Sequence, residues 1–305
     1  MTINDNKRLL AQTNNKLNKH VLMQNLLFNL HTHCHYCDGS SPPEEYVKEA
    51  IRQGFHTLGF SSHAPVPFEN KFAIQSESKL IEYANEIRSL KQKYKNELNI
   101  FLASEIDFIP GITSEFDYLN QLARLDYAIG GVHLLKHPEK DTLWFIDGPK
   151  QEIYDEGLKN IFDGDIHLAI KTYWRQIREM INTQSFDIVA HLDKIKMHNR
   201  NRYFTENESW YQQELLETLE LIAEKKIIVE VNTRGIYKGR SDELFPGVDA
   251  LKKILDLSIP ITLNSDAHKP EDLSKYFPEA RNILKKIGFK KLRIFTENGW
   301  DESNV

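Results

Sequence analysis

Short apolar runs of strand length alternate along this chain with longer stretches whose apolar positions recur every three to four residues. The first run, residues 26–30, leads into Asn29-Leu30-His31-Thr32-His33. Behind it, Ser41-Pro42-Pro43-Glu44 has the signature of a helix start, with Ser41 as N-cap, proline in the first turn and Glu44 at the capping-box position. Tyr46, Val47, Ala50 and Ile51 then recur at helical spacing as far as Gly54, a natural stop. Residues 57–63 read as a second strand ending on His63. A helix is predicted over 78–95, with Leu80, Tyr83, Ala84, Ile87 and Leu90 on one face, and a strand over 99–106 that carries Glu105 and leads to Asp107. A short helix at 116–123 precedes a strand at 127–135 bearing His133, and a helix at 168–181 precedes a strand at 186–192 that ends near His191 and Asp193. Thr205 with Glu208 offers a second capping box, opening a helix through Leu215, Leu216, Leu219 and Ile222. A strand at 227–231 runs into Asn232-Thr233-Arg234-Gly235. After a helix at 248–257, a strand at 260–263 runs into Asn264-Ser265-Asp266-Ala267-His268, and a last helix at 278–287 precedes a basic segment containing Leu292-Arg293-Ile294-Phe295.

Seven strand-like runs alternating with helices imply a parallel sheet or barrel. An open doubly wound sheet would gather its site at one switch point, from the ends of a few strands. Here polar candidates follow nearly every strand, and only a closed barrel brings so many strand ends to one centre, at its C-terminal face. The expected fold is therefore α/β: a single distorted (β/α)7 TIM-like barrel over residues 25–305, with a metal site at the C-terminal ends of the strands. Residues 1–24 are read as an N-terminal extension. Two stretches break the repeat. Residues 136–165 are long and contain Trp144, Phe145, Ile146, Asp147, Gly148 and Tyr154, so they are expected to lie over the active face as a lid or specificity loop. Residues 194–203 carry Lys194, Lys196, His198, Arg200 and Arg202, either a solvated face or an attractor for an anionic substrate.

Composition narrows the function classes. With 39 Lys and Arg against 44 Asp and Glu, the formal net charge is −5, the wrong sign for a general nucleic-acid surface. No apolar stretch approaches the roughly 18 residues of a membrane span. The Asn- and Lys-rich first segment lacks the apolar core of a secretory signal, so a cytoplasmic location is expected and no membrane or nucleic-acid partner. The two cysteines, Cys34 and Cys37, are spaced C-x-x-C beside the histidine pair. Without a second such pair or a thioredoxin-like context they are read as reduced thiols near the site.

Alternate residues of a strand share a face, so His31 and His33 present their imidazoles side by side, as one strand end must to give two ligands to one ion. The strand ends together collect His31, His33, Asp38, His63, Glu105, His133, His191, Asp266 and His268. Six of the twelve histidines follow strand runs, which packing alone explains poorly because buried polar groups need partners. Imidazoles with a few carboxylates suit Zn²⁺, Mn²⁺ or Fe²⁺ rather than Ca²⁺ or Mg²⁺. There are too many ligands for one ion, so two or three divalent metals are expected. Glu105 can use both oxygens to bridge metals about 3.5–4 Å apart, as hydrolytic sites require.

Asn-Leu-His31-Thr-His33, Ser-Ser-His63-Ala-Pro, Ala-Ser-Glu105-Ile-Asp107, Gly-Gly-Val-His133, Ala-His191-Leu-Asp193-Lys and Asn-Ser-Asp266-Ala-His268 together resemble the PHP (polymerase-and-histidinol-phosphatase) family, over about residues 26–270. Asp38-Gly39 and the Val-Asn-Thr-Arg234-Gly-Ile-Tyr-Lys stretch are most similar to its stand-alone histidinol-phosphate phosphatases. The resemblance implies three metal positions: His31, His33, Glu105 and Asp266; Glu105 shared with His133 and His191; and His63 with His268 and a third ligand. Many relatives supply that third ligand as a histidine where this chain has Gly39, which leaves Asp38 as the candidate. The implied reaction is hydrolysis of L-histidinol phosphate to L-histidinol and phosphate, a step of histidine biosynthesis, by metal-activated hydroxide. Glu105 and Asp266 then count as catalytic as well as ligating. Arg234 is the first choice for a phosphate clamp, Arg175 a second, and Asp193 and His35 are the candidates to protonate the leaving alkoxide, with His35 also placed against substrate. Three rivals remain: a PHP phosphoesterase for another phosphomonoester or a phosphodiester, a nuclease-like role, and a non-catalytic metal-stabilised binding module.

Overall fold

A computed structural model describes residues 26–305; the expected extension at 1–24 lies outside the described residues. Seven parallel strands form the central sheet in the order β1 (Phe28–Asn29), β2 (Thr57–Phe60), β3 (Asn99–Asp107), β4 (Tyr127–Gly131), β7 (Ile188–Val189), β8 (Ile228–Asn232) and β9 (Ile261–Asn264). Neighbouring strands run parallel in register from Phe28↔Thr57 round to Asn232↔Asn264. Beyond the ends of β1 and β9 the ring closes: Thr32 bridges Ala267 in parallel, and the His33 amide donates to the Ala267 carbonyl at 2.8 Å. The result is the expected distorted (β/α) barrel, and its closure falls on the two stretches richest in polar candidates.

The helices follow the predicted periodicity. In α1 (Pro43–Gln53), Tyr46, Val47 and Ala50 are buried, and Gly54 ends the helix at φ 78°, a left-handed turn that costs a non-glycine residue about 1 kcal/mol. The capping box expected at Ser41 does not form: Pro42 is the N-cap, without a side-chain bond, and Glu44 is drawn to Lys93 and Tyr94 at 2.6 Å each. That pairing ties α1 to α2 (Glu77–Lys93), which is capped by Ser76. Similarly, the Thr205 amide donates to Glu208 at 2.7 Å one turn ahead of the helix that Ser209 begins.

The predicted strand at 127–135 divides in two. Gly131 ends β4, and Leu134–Lys136 (β5) turns away to pair antiparallel with Leu143–Phe145 (β6). The rest of the long 136–165 stretch forms a helix, α4 (Gln151–Ile161), after α3 (Phe116–Ala123), and Trp144 packs on Tyr154 and Phe162 beneath it. At the opposite end of the barrel, β10 (Lys291–Thr296) and β11 (Gly299–Asn304) form a hairpin where the sequence marked only a basic segment. Phe295 packs on Phe101 and Tyr127, and Trp300 donates to Asp187 at 3.0 Å. Those partners sit at the starts of β3, β4 and β7, so the hairpin covers the N-terminal end of the barrel and leaves the C-terminal end for chemistry.

Candidate metal centre

Glu105 is the centre of the site. It lies on β3, whose residues 103, 105 and 107 share the inward face, and it is fully buried. Its two oxygens face different histidines: Oε1 is 3.0 Å from His191 Nε2 and 3.5 Å from His133 Nε2, while Oε2 is 3.0 Å from His31, 3.3 Å from His33 and 3.4 Å from His63. Gly131 makes this possible, since a Cβ there would sit 3.1 Å from Glu105 Oε1 and 3.4 Å from the His133 ring.

Four groups of side chains converge closely enough to hold an ion: His31, His33 and Asp266; Glu105, His133 and His191; His33, Asp38, His63 and His268; and His63, Asp107 and His133. All nine residues expected at the strand ends thus come together. Asp38, in the turn after β1, lies 3.1 Å from His268 Nε2. Two residues of these groups, His191 and Asp266, hold positive φ angles of 23° and 51°, backbone states sparsely populated by side-chain-bearing residues and concentrated at functional sites.

The donor chemistry fits divalent cations. Glu230 takes His31 Nδ1 at 2.6 Å and Asp107 takes His133 Nδ1 at 2.6 Å, which turns each Nε2 lone pair inward. There the His31 and His33 Nε2 atoms stand 3.0 Å apart, and those of His133 and His191 3.1 Å apart. Lone pairs facing at that distance need a shared acceptor. His63 Nδ1, Asp107 Oδ2, Asp147 Oδ1 and Asp266 Oδ1 are buried without a hydrogen-bond partner, a costly state that ligation would relieve. The field points the same way. Burial drives the His133 pKa down, but Asp107, Asp147 and Glu105 outweigh it and hold it at about 10. Burial likewise opposes protonation of His31, yet Glu230, Glu105 and Asp266 raise it well above the ordinary value. Carboxylates that force protons onto buried imidazoles are carboxylates in want of positive charge. Burial, with Lys194 beside one and His33 and Arg234 beside the other, keeps His191 near 4 and His268 near 3, so both imidazoles remain neutral.

Over the cluster opens a cavity of about 510 Å³ whose floor is His63, Glu105, His133, Asp266 and His268. Arg234 borders it, its Nη1 donating to the Asp266 carbonyl at 2.7 Å. Three expected site residues lie elsewhere. Asp193 is buried under Lys196 (2.8 Å) and the Gly247 amide (2.9 Å), away from the cavity wall. Arg175 is exposed on α5 (Ile166–Thr183) and lines a separate small cavity with Lys136, His137 and Gln176. His35 is exposed beside Tyr36 and does not border the cavity. Asp193 and His35 are candidates by residue type beside a motif and Arg175 by its charge on a helix, and none of the three borders the cavity.

Other residues take their place. Lys194 is buried at the cavity wall, 3.2 Å from Asp147 and 3.8 Å from Asp266. Of the rest of the basic run, Lys196 and His198 are buried, Arg202 holds Asp155 at 2.6 and 2.8 Å, and Arg200 stays exposed, donating to the Gly239 carbonyl at 3.1 Å. Glu230 had a legible signal, a lone charge at an inward position of the apolar strand Ile-Val-Glu-Val-Asn. It also accepts from Asn232 (3.1 Å), Asn264 (3.0 Å) and the His191 amide (2.9 Å), so it joins the ends of three strands. Cys37 Sγ lies 3.4 Å from His33 Nδ1, and burial pushes the Cys34 thiol up to about 12 and Cys37 well above its usual value.

The PHP domain family pattern matches residues 29–234, which spans every part of this centre except the β9 end. The chain belongs to the PHP domain family. It is 26% identical to a Deinococcus radiodurans protein named "Probable histidinol-phosphatase", over 86% of this chain and 94% of that protein. It is also 26% identical to the histidinol-phosphatase of Lactococcus lactis, over 87% of this chain and 93% of that one. A crystal structure of histidinol phosphate phosphatase from Lactococcus lactis, complexed with zinc, L-histidinol and phosphate, superposes with a TM-score of 0.66 at 23% identity, covering 91% of this PHP chain and 100% of the other. Among the described residues no helix is long and apolar enough to cross a membrane.

Proposed function

We propose that this chain is a metal-dependent histidinol-phosphatase, hydrolysing L-histidinol phosphate to L-histidinol and phosphate. The observation that carries the hydrolytic part is Glu105, buried between two sets of imidazoles with one oxygen turned to each. The substrate rests on the relatives, which this chain matches over nearly their whole length.

His31, His33 and Asp266 would hold one ion, His133 and His191 a second, and His63, His268 and Asp38 a third, with Glu105 shared between the first two. Such ions would supply an activated water and polarise the phosphoryl oxygens. Lys194 and Arg234 flank the same floor, and in this reading they bind the phosphoryl oxygens and balance the charge that spreads over them during transfer. Asp147 and Asp266 hold the Lys194 ammonium in place and charged, since together with Glu105 they outweigh the burial that opposes it. Asp193 and Arg175 have no part in the proposal. The metals are proposed as zinc, manganese or iron, the location as the cytoplasm, and the partner as a small phosphate monoester with no nucleic acid.

The test is phosphate release by the metal-loaded protein from L-histidinol phosphate and a panel of mono- and diesters, each with a chelated control. A preference for histidinol phosphate of at least tenfold, lost on chelation, is expected. Preference for a diester would retain the metal centre and discard this substrate, and no turnover at all would leave a metal-stabilised binding module.

A further inference from the structure

The cavity has two unlike halves. Its floor is polar and charged, whereas the wall above it carries Phe68, Phe72 and Phe145, interspersed with Glu69, Asn70 and Lys71 of the same loop. All three are only half-buried, so they keep apolar surface turned to the opening rather than to the core. They come from separate segments: Phe68 and Phe72 from the loop after β2, Phe145 from β6. Phe72 and Phe145 nevertheless meet as near-parallel rings, with centroids 6.2 Å apart and planes 21° from one another, an offset pair. Phe72 also stands edge-on to His63, 5.4 Å away at 89°, which fixes the wall directly beside the centre.

The wall is built, not incidental. Asn70 Oδ1 accepts from the amides of Phe72 (3.1 Å) and Ala73 (2.7 Å), its Nδ2 donates to the Phe68 carbonyl at 3.1 Å, and the Ile74 amide donates to the His63 carbonyl at 3.0 Å. One polar side chain thus pins the loop so that Phe72 faces Phe145. On the other side Trp144, buried against Tyr154 and Phe162, anchors the β6 end. Broad aromatic surface held open beside a phosphate-binding floor favours a ligand whose far end is flat and apolar on its faces.

We propose that Phe72 and Phe145 form the subsite for the organic half of the substrate, selecting phosphomonoesters that carry a planar ring by stacking that ring on the wall. Asn70 is the positioning residue for this wall. The proposal rests on the phosphatase reading above but not on the identity of the ring.

The test compares kcat/KM for L-histidinol phosphate, L-phenylalaninol phosphate and phosphoethanolamine in the wild type, Phe72→Ala and Phe145→Ala. The readout is the ratio of each ring-bearing ester to phosphoethanolamine, which a general loss of activity does not move. Losing one stacking face should lower that ratio about tenfold in either variant, mostly through KM. Asn70→Ala should lower it by a smaller factor, because both rings are still present. A ratio unchanged in both phenylalanine variants, or a wild type that prefers phosphoethanolamine, overturns the wall. Rapid turnover of phenylalaninol phosphate without histidinol phosphate would overturn the histidinol reading and leave the wall standing.

Discussion

Glu105 and Glu230 are both buried carboxylates among histidines, yet they do different work. Glu105 turns both oxygens towards lone pairs that ions would share, whereas Glu230 faces the back of His31 and takes its Nδ1 at 2.6 Å. Glu105→Ala should therefore abolish turnover, by at least about a thousandfold, and lower the bound metal per chain, while leaving the circular dichroism spectrum unchanged. Near-normal phosphate release would remove Glu105 from the bridging position. Glu230→Gln keeps the size of the side chain and its contact with His31 but loses the charge that makes the imidazole a better ligand. A fall of about 10–100-fold in metal affinity, read by competition with a chromogenic chelator, is the expected outcome. An unchanged affinity would reduce Glu230 to a packing role. The difference between these residues was only half legible. Glu105 lies near the end of a strand in a recognisable motif, but Glu230 is seen as a partner only when the closed barrel brings β8 across β9 to the end of β1.

The turn at Lys194–Lys196 shows how one element can enter a site with one residue and brace it from behind with the next. Lys194 and Lys196 are two residues apart, and the first reaches the cavity while the second is buried among Asp193 (2.8 Å), Glu206 (3.0 Å) and Glu243 (3.0 Å). One ammonium cannot neutralise three carboxylates. Burial, opposed by Lys196 but reinforced by Asp193 and Glu243, lifts the Glu206 carboxyl to about 7, against 4.5 for an ordinary glutamate. Its folded value is raised, so the stability it contributes is complete below about pH 4.5 and is lost as the pH rises through 7. Glu206→Gln cannot ionise, so it should melt higher than the wild type above pH 7, and the gap should close towards pH 4.5. Thermal melts of both proteins across that range give the answer; a gap that widens in acid would refute the assignment. Sequence alone showed a basic run here. What it could not show is that a turn aims successive lysines at different carboxylates, because those carboxylates come from segments ten and forty-seven residues away.

At the scale of the whole barrel, the two ends have opposite characters. The β10–β11 hairpin, with Phe295 and Trp300 against Tyr127, fills the N-terminal end with apolar contacts. The C-terminal end concentrates Glu105, Asp107, Asp147, Glu230 and Asp266 around buried imidazoles, as polar an interior as any part of the described chain. The alternation of strands and helices, and the polar residue at each strand end, made the barrel and its active face readable in advance. The closing bridge from Thr32 to Ala267 and the meeting of Phe72 with Phe145 were not, because they pair residues that share no local pattern. That arrangement also makes a claim about stability. The strand ends that close the ring carry His31, His33 and Asp266, so ions bound there and shared with Glu105 and His133 would tie β1, β3, β4 and β9 together, and their removal should loosen the closure. Each ion present at a hundred times its dissociation constant stabilises the folded form by about 2.7 kcal/mol. In a domain of this size that is roughly 4–5 °C in melting temperature per ion. Chelator-treated protein should therefore melt lower by at least that much and recover on addition of Zn²⁺ or Mn²⁺. Inorganic phosphate should raise the melting temperature further only in the metal-loaded form, since it needs ions and the Lys194–Arg234 pair together. Identical melting with and without metal would mean that the facing imidazoles are satisfied by protons alone, and a phosphate effect in the chelated protein would place the anion site away from the centre.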